Sequence, residues 1–229
     1  GATSRMGSVG VYNVVGSAYG QLIGYKYKRD AQGRLLLKDG LPQNNGEQVS
    51  LGCGVYKYTG GWSNTLKYRD FALSFLIDYK FGAKLFSGSN YQAYSNGLHK
   101  NTLVGRTKEN PNQTYVFPGI DEATGQPNQV AVTAQNYFGK IGDNNIAEEF
   151  TYNASFIKLR EVSLSYTFPK SLLAKTKYVK GLTLSVIGRN LWTIMKHTDN
   201  IDPEAAYNNS NGQGLELNGY PYTRNIGFN

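Results

Sequence analysis

The chain has 229 residues, 40% of them hydrophobic, and its 27 glycines, 18 tyrosines and 10 phenylalanines favour strands joined by turns. No apolar run approaches the roughly 18 residues that a membrane-crossing helix needs, which excludes a helical membrane protein. A formal charge of +8 is spread along the chain rather than blocked, so it marks no nucleic-acid tract, and one cysteine with two histidines rules out an internal disulfide and weighs against a Cys/His zinc site.

Residues 1–6 carry no basic segment leading into an apolar core, so no secretory leader is visible, and a chain bound for the cell surface is then expected to be processed or partial. Short β-prone runs follow at 9–15 and 21–28, broken at Gly16 and Gly20, and Asp30-Ala31-Gln32-Gly33 turns the chain back into 35–37 as a hairpin. A Gly/Pro/Asn-rich loop spans 40–46. After a strand at 62–67 and a tight link at 68–70 comes the central element, Phe71–Phe81. Its odd positions, Phe71, Leu73, Phe75, Ile77, Tyr79 and Phe81, are all apolar or aromatic and share one face, while Ala72, Ser74, Leu76, Asp78 and Lys80 share the other. Eleven residues at about 3.3 Å reach roughly 36 Å, or roughly 26 Å across a membrane at a tilt of about 45°.

Residues 87–153 lose the alternation to Asn, Gly, Gln, Thr and Pro, with one β-prone piece at 130–138. An irregular stretch of that length suits the outer loop of a membrane barrel better than a compact soluble domain. Strand grammar returns at 154–168, stops at Pro169, resumes at 182–192, and after a polar loop at 196–219 closes with 220–229. Seven crossings are expected, downward near 7–15, 60–67, 155–168 and 221–229 and upward near 21–29, 71–86 and 182–195. All long loops then lie on one side. An odd number of strands does not close a bacterial barrel, so the chain is expected to be a piece of something larger.

The stretch Phe156-Ile157-Lys158-Leu159-Arg160-Glu161-Val162-Ser163-Leu164-Ser165-Tyr166-Thr167-Phe168-Pro169 resembles the C-terminal part of the SusC/RagA family of TonB-dependent outer-membrane transporters. Gly188-Arg189-Asn190-Leu191, Asn200-Ile201-Asp202-Pro203-Glu204, Pro221-Tyr222-Thr223-Arg224 and Tyr68-Arg69-Asp70-Phe71 agree in order and spacing. The resemblance implies an all-β fold: residues 1–229 as the C-terminal part of an antiparallel, plugged, 22-stranded transmembrane β-barrel, with a long extracellular loop at about 87–153 and the plug outside the chain. It implies a bacterial outer-membrane importer of oligosaccharides or peptides, not an enzyme and without a cofactor. Its partners would be a SusD-like surface lipoprotein, TonB through the missing N-terminal part, outer-membrane lipid and the cargo, and no nucleic acid. The rival from periodicity alone is a soluble carbohydrate-binding β-sandwich, whose inward face alternates in the same way.

Arg160 and Glu161 sit where the apolar phase of their strand changes, as a rim pair or as a seat for a neighbouring strand. Arg189 and Asn190 read as a structural hydrogen-bonding feature. Asp202, Pro203 and Glu204 place two carboxylates in a turn, the raw material for calcium binding or glycoside hydrolysis but also ordinary turn chemistry. No residue is assigned a catalytic or metal-ligating role. His99 reads as a solvated loop histidine. Tyr91, Tyr94, Tyr115, Phe117, Tyr137 and Phe138 offer flat faces on which sugar rings stack, and packing of the loop against itself explains them equally well.

Overall fold

A computed structural model describes residues 4–7, 9–110, 112–174, 176, 178–205 and 212–229. Part of the polar loop expected at 196–219, residues 206–211, lies outside the described residues, as do 1–3 of the N-terminal segment. The chain divides into two compact units, one formed by Gly1–Val55, Ala83–Asn153 and Thr198–Tyr220 and the other by Tyr56–Gly82, Ala154–His197 and Pro221–Asn229.

The second unit is one antiparallel sheet of five strands: β1 (Tyr58–Tyr68), β2 (Phe71–Phe81), β3 (Phe156–Thr167), β4 (Thr183–Lys196) and β5 (Asn225–Phe228). They lie in the order β5-β4-β3-β2-β1. β1 and β2 pair without a break from Tyr58↔Phe81 to Tyr68↔Phe71, so the alternation of β2 is carried onto its neighbour. Their link is two residues long, with Arg69 in the left-handed region at φ 50°. The sheet is open, with β1 and β5 as its edges, and among the described residues it does not close into the expected barrel.

β3 keeps its faces in order by a bulge. Leu159 pairs with Ile77 and Glu161 with Leu76, so Arg160 is an extra residue relative to β2. That insertion flips the period of two at one point. Ile157 and Leu159 before it and Val162, Leu164 and Tyr166 after it fall on one face, while Lys158, Arg160, Glu161, Ser163 and Ser165 fall on the other. β4 accommodates the bulge with Asn190 at φ 53°, where Asn is among the least penalised side chains.

The first unit is built otherwise than expected. The runs at 9–15 and 21–28 are not membrane-crossing strands: they form four-residue strands, Val9–Tyr12 and Gln21–Gly24, in a sheet ordered Ser4–Met6, Val9–Tyr12, Gln21–Gly24, Val49–Cys53. Four residues extend only about 13 Å. Their Val9, Val11 and Leu22 are buried with Leu37, Ile141, Ile146, Phe150 and Leu215 in a shared core. The hairpin at 29–35 forms as read: the Asp30 carboxylate accepts the N–H groups of Gln32 and Arg34 while its other oxygen takes the Arg34 Nε at 2.7 Å.

Residues 87–153 carry two helices, α1 (Gly88–Ser95) and α2 (Ala134–Asp143). The piece at 130–138, expected to be β, is strand only at Ala131–Thr133 and then turns helical. Thr133 caps α2 by accepting the Asn136 N–H, and Ala134, Tyr137, Phe138 and Ile141 form its buried stripe at i, i+3, i+4 and i+7. Ser87 caps α1 in the same way, and the buried Glu216 carboxylate accepts from Ser87 Oγ at 2.7 Å, Ser89 Oγ at 2.6 Å and the Gly219 N–H at 3.1 Å. A carboxylate beside a helix N-terminus is favourably placed and here fully hydrogen-bonded. It ties residues 215–219 to α1.

Phe150 is the hub of this core, meeting Phe86, Tyr91 and Tyr94 edge to face with ring centroids 6.4, 5.3 and 4.9 Å away. Phe150→Ala is expected to destabilise the unit by about 3–5 kcal/mol. Hydrogen exchange across α1 and α2 should speed up by the corresponding factor, and unchanged protection there would contradict this packing.

Candidate functional site

The sheet has two chemically opposite faces. On one, cross-strand rows run Tyr68-Phe71-Tyr166-Leu184, then Leu66-Leu73-Leu164-Val186-Phe228, then Asn64-Phe75-Val162-Gly188-Ile226, then Trp62-Ile77-Leu159-Trp192, and end at Tyr58-Phe81. This face is open: Trp62 is 56% exposed, Leu66 58%, Phe71 50%, Leu164 48% and Trp192 58%. Phe71 and Tyr166 meet with ring centroids 4.7 Å apart at one end, and Tyr79 and Phe81 stack at 5.5 Å toward the other. Aromatic rings are concentrated toward both ends of the face, Tyr68, Phe71 and Tyr166 at one and Trp62, Trp192, Tyr79 and Phe81 toward the other, with Leu66, Leu73, Leu164 and Val186 and then Phe75 and Val162 in the rows between. Ten residues separate the Tyr68 and Tyr58 rows, roughly 33 Å along the strands and about 23 Å along a normal tilted by about 45°.

The opposite face is held by polar pairs. Hydroxyls meet across neighbouring strands at Thr65–Ser74 (2.9 Å), Ser165–Ser185 (2.9 Å) and Thr167–Thr183 (3.1 Å). Arg160 sends Nε and one Nη to the same Asp78 oxygen at 2.9 and 2.7 Å, and Arg189 Nε reaches Glu161 at 2.9 Å. Arg160 and Glu161 thus do not pair with each other; the bulge puts both on the polar face and each takes a partner one strand away. Beside them Lys158 is buried, with its ammonium over the rings of Phe156 (4.9 Å) and Tyr222 (4.4 Å). Asp78, Lys158 and Tyr222 were not singled out in the sequence: strand register pairs Lys158 with Asp78, and Tyr222 comes from the segment that leads into β5. Asn190 donates its side-chain amide to the Thr223 carbonyl at 3.3 Å.

In the first unit Asp202 Oδ1 accepts the Glu204 N–H at 2.8 Å and Asp202 O accepts the Ala205 N–H, while Pro203 is buried: the three residues make a side-chain-capped turn. Among the described residues no cluster of three or more His, Cys, Asp or Glu is arranged to hold a metal.

The loop aromatics are brought together, but mostly as core. Tyr94, Phe117, Tyr137 and Phe138 are buried, Tyr91 is half-buried and Tyr115 is exposed. Phe117 and Tyr137 give their flat faces to each other, 3.7 Å apart and 8° from parallel, and Tyr94 meets Phe138 edge to face. Sugar stacking needs a free face, and these pairs have spent theirs on one another. The hydroxyls of Tyr27 and Tyr94 both donate to Glu149 at 2.8 Å. Burial and that carboxylate raise the pKa of both phenols, and push Tyr137 up to about 12.

His99, expected in solvent, is buried. Its Nδ1 accepts the Asn101 N–H at 3.2 Å at the start of a helical turn, its ring lies 4.6 Å from that of Tyr94, and Nε2 faces Asp199 at 3.5 Å. The short-range signal was the cap itself, His99 two residues before Asn101, which polar composition masked.

No family model matches the chain. It is 26% identical over 235 residues to TonB-dependent receptor P3 of Formosa agariphila, a match covering 91% of this chain and 21% of that protein. A second receptor of that organism, P39, is 26% identical over 172 residues, covering 74% of this chain and 15% of its own length. Among solved structures, the RagAB peptide importer in its closed-closed state superposes with a TM-score of 0.61 at 18% identity, covering 94% of this chain and 24% of that one. The chain thus spans about a fifth of the length of the curated receptor P3.

Burial lowers the pKa of His99 despite Asp199. A depressed histidine binds its proton more readily when its surroundings open, so its stabilisation is complete above about pH 6.5 and fades as pH falls through the folded pKa. Hydrogen exchange over residues 94–103, corrected for intrinsic rates, is expected to speed up from pH 7 to pH 5, and His99→Asn should flatten that response. An identical pH response in the variant would contradict the assignment.

Proposed function

We propose, for a chain that is a segment of a SusC/RagA-type TonB-dependent transporter, that its five-stranded sheet is part of the wall of an outer-membrane β-barrel importer, with the apolar face toward lipid and the polar face toward the lumen. The observation that carries this reading is the open, continuous apolar face backed by a hydrogen-bonded polar one. Contiguous apolar area on this scale marks a surface meant to be covered, and the concentration of aromatic rings toward both ends of the strands resembles the girdles of membrane barrels. The edges left by β1 and β5 would be completed by further strands of a plugged, 22-stranded barrel.

By the same reading residues 87–153 stand on the extracellular side, and the importer works with a SusD-like surface lipoprotein and draws on TonB through its plug. The similarity to a peptide importer supports peptide as cargo, with oligosaccharide the alternative. Tyr91 and Tyr115, the loop aromatics that keep accessible surface, are the ones we propose to meet it. The segment itself makes and breaks no bonds. A soluble sandwich would need a second layer over Phe71, Leu164 and Trp62, which stand open instead.

Envelopes containing the protein should retain it through high salt and release it only to detergent. Val162, in a middle row of the apolar face, and Ser163, on the polar face, separate the readings. Val162→Arg is expected to cost about 2–4 kcal/mol and deplete the assembled protein, with Ser163→Arg near neutral. Release by salt alone, or equal depletion by both substitutions, would contradict the wall.

A further inference from the structure

We propose that the cleft between the C-terminal end of α1 and the start of α2 is a carboxylate-recognising subsite centred on Arg106; the inference rests on the reading that this unit meets cargo. The cleft holds about 390 Å³, within the usual range of small-ligand sites and enough for a terminal unit of an oligomer rather than a whole one. Tyr94 and Phe138 supply its apolar wall, and Asn96, Asn112 and Gln135 supply amides that can both donate and accept. No Asp or Glu lines it among the described residues, and the one formal charge in the lining is the guanidinium of Arg106.

That guanidinium is anchored by one nitrogen. Nη1 donates to the Gly97 carbonyl at 3.0 Å and to the carbonyl and hydroxyl of Thr102, each at 3.3 Å. Gly97 has φ +67°, and a Cβ there would lie 3.1 Å from Nη1, so glycine lets the guanidinium rest against the backbone. Among the described residues Arg106 makes no ion pair with a carboxylate. Among the described residues its Nε and Nη2 make no hydrogen bond, and that edge is the fork that donates to both oxygens of a carboxylate; the anchoring already meets part of the ordering cost of binding. An arginine that served only to cap carbonyls would explain Nη1 but not the amide-rich, acid-free lining of the cleft that Arg106 shares.

A carboxylate reaches such a cleft from two sources, the C-terminus of a peptide or the acid group of a sugar. The test is calorimetric titration of the full-length transporter in detergent with four probes: a short peptide with a free C-terminus, its C-terminal amide, a uronic-acid trisaccharide, and its methyl ester. At least one acid probe is expected to bind roughly tenfold or more tightly than its neutral counterpart, and Arg106→Ala should abolish that difference. Arg106→Lys, which keeps the charge without the fork, should restore less than half of the difference. Whichever pair shows the effect identifies the source. Equal binding of acid and neutral probes, no binding by any probe, or an unchanged difference in a correctly folded Arg106→Ala protein would overturn the proposal. A protein that passes the lipid-face test above and fails here loses the subsite and keeps the wall.

Discussion

Everything in the sheet follows from one constraint: side chains alternate along a strand, so a strand with apolar residues at every second position must find an apolar medium for one whole face. On β2 alone six such side chains, Phe71, Leu73, Phe75, Ile77, Tyr79 and Phe81, point the same way. Leaving them in water would cost on the order of 10 kcal/mol, comparable with the entire stability of a typical domain. Neighbouring strands do not relieve this cost, because each adds its own apolar residues to the same side. The face must be covered, and in the function proposed above hydrocarbon covers it.

The bulge at Arg160 shows how strictly that constraint is kept. Continued without interruption, the alternation of Ile157 and Leu159 would have carried Glu161, Ser163 and Ser165 onto the apolar face and Val162 and Leu164 onto the polar one. One extra residue resets the phase. It also sets Arg160 and Glu161 side by side on the polar face, where Asp78 and Arg189 neutralise them from opposite neighbours. Packing and electrostatics are solved by the same backbone irregularity.

The sheet was legible in the sequence for the same physical reason: a period of two over eleven residues is a strong local signal, and β2, β3 and β4 fall where alternation placed them, while β1 runs longer than the expected 62–67 and β5 is shorter than the expected 220–229. The runs at 9–15 and 21–28 show β-propensity too, yet propensity does not say whether a strand is long and lipid-facing or short and buried in a core, and Val9, Val11 and Leu22 took the second course. Helix α2 was hidden by its β-branched lead-in at Val130–Val132 and by two glycines, although the spacing of Ala134, Tyr137, Phe138 and Ile141 was there to be read. Glu149, Glu216 and Asp78 could not have been found locally, since their side-chain partners lie 55 to 129 residues away in sequence. The loop aromatics were recognised as a group, but their mutual burial depends on how α1, α2 and Phe150 pack.

The orientation of the sheet can be read one residue at a time. With Cys53 replaced by serine, single nitroxide labels at each position from 71 to 81, in the full-length protein reconstituted into liposomes, would report collision with oxygen, which concentrates in lipid, and with a water-soluble nickel chelate. The account predicts oxygen maxima at 71, 73, 75, 77 and 79 with nickel maxima at the positions between them. Any of those five positions reached by nickel, or shielded from both reagents, would contradict it.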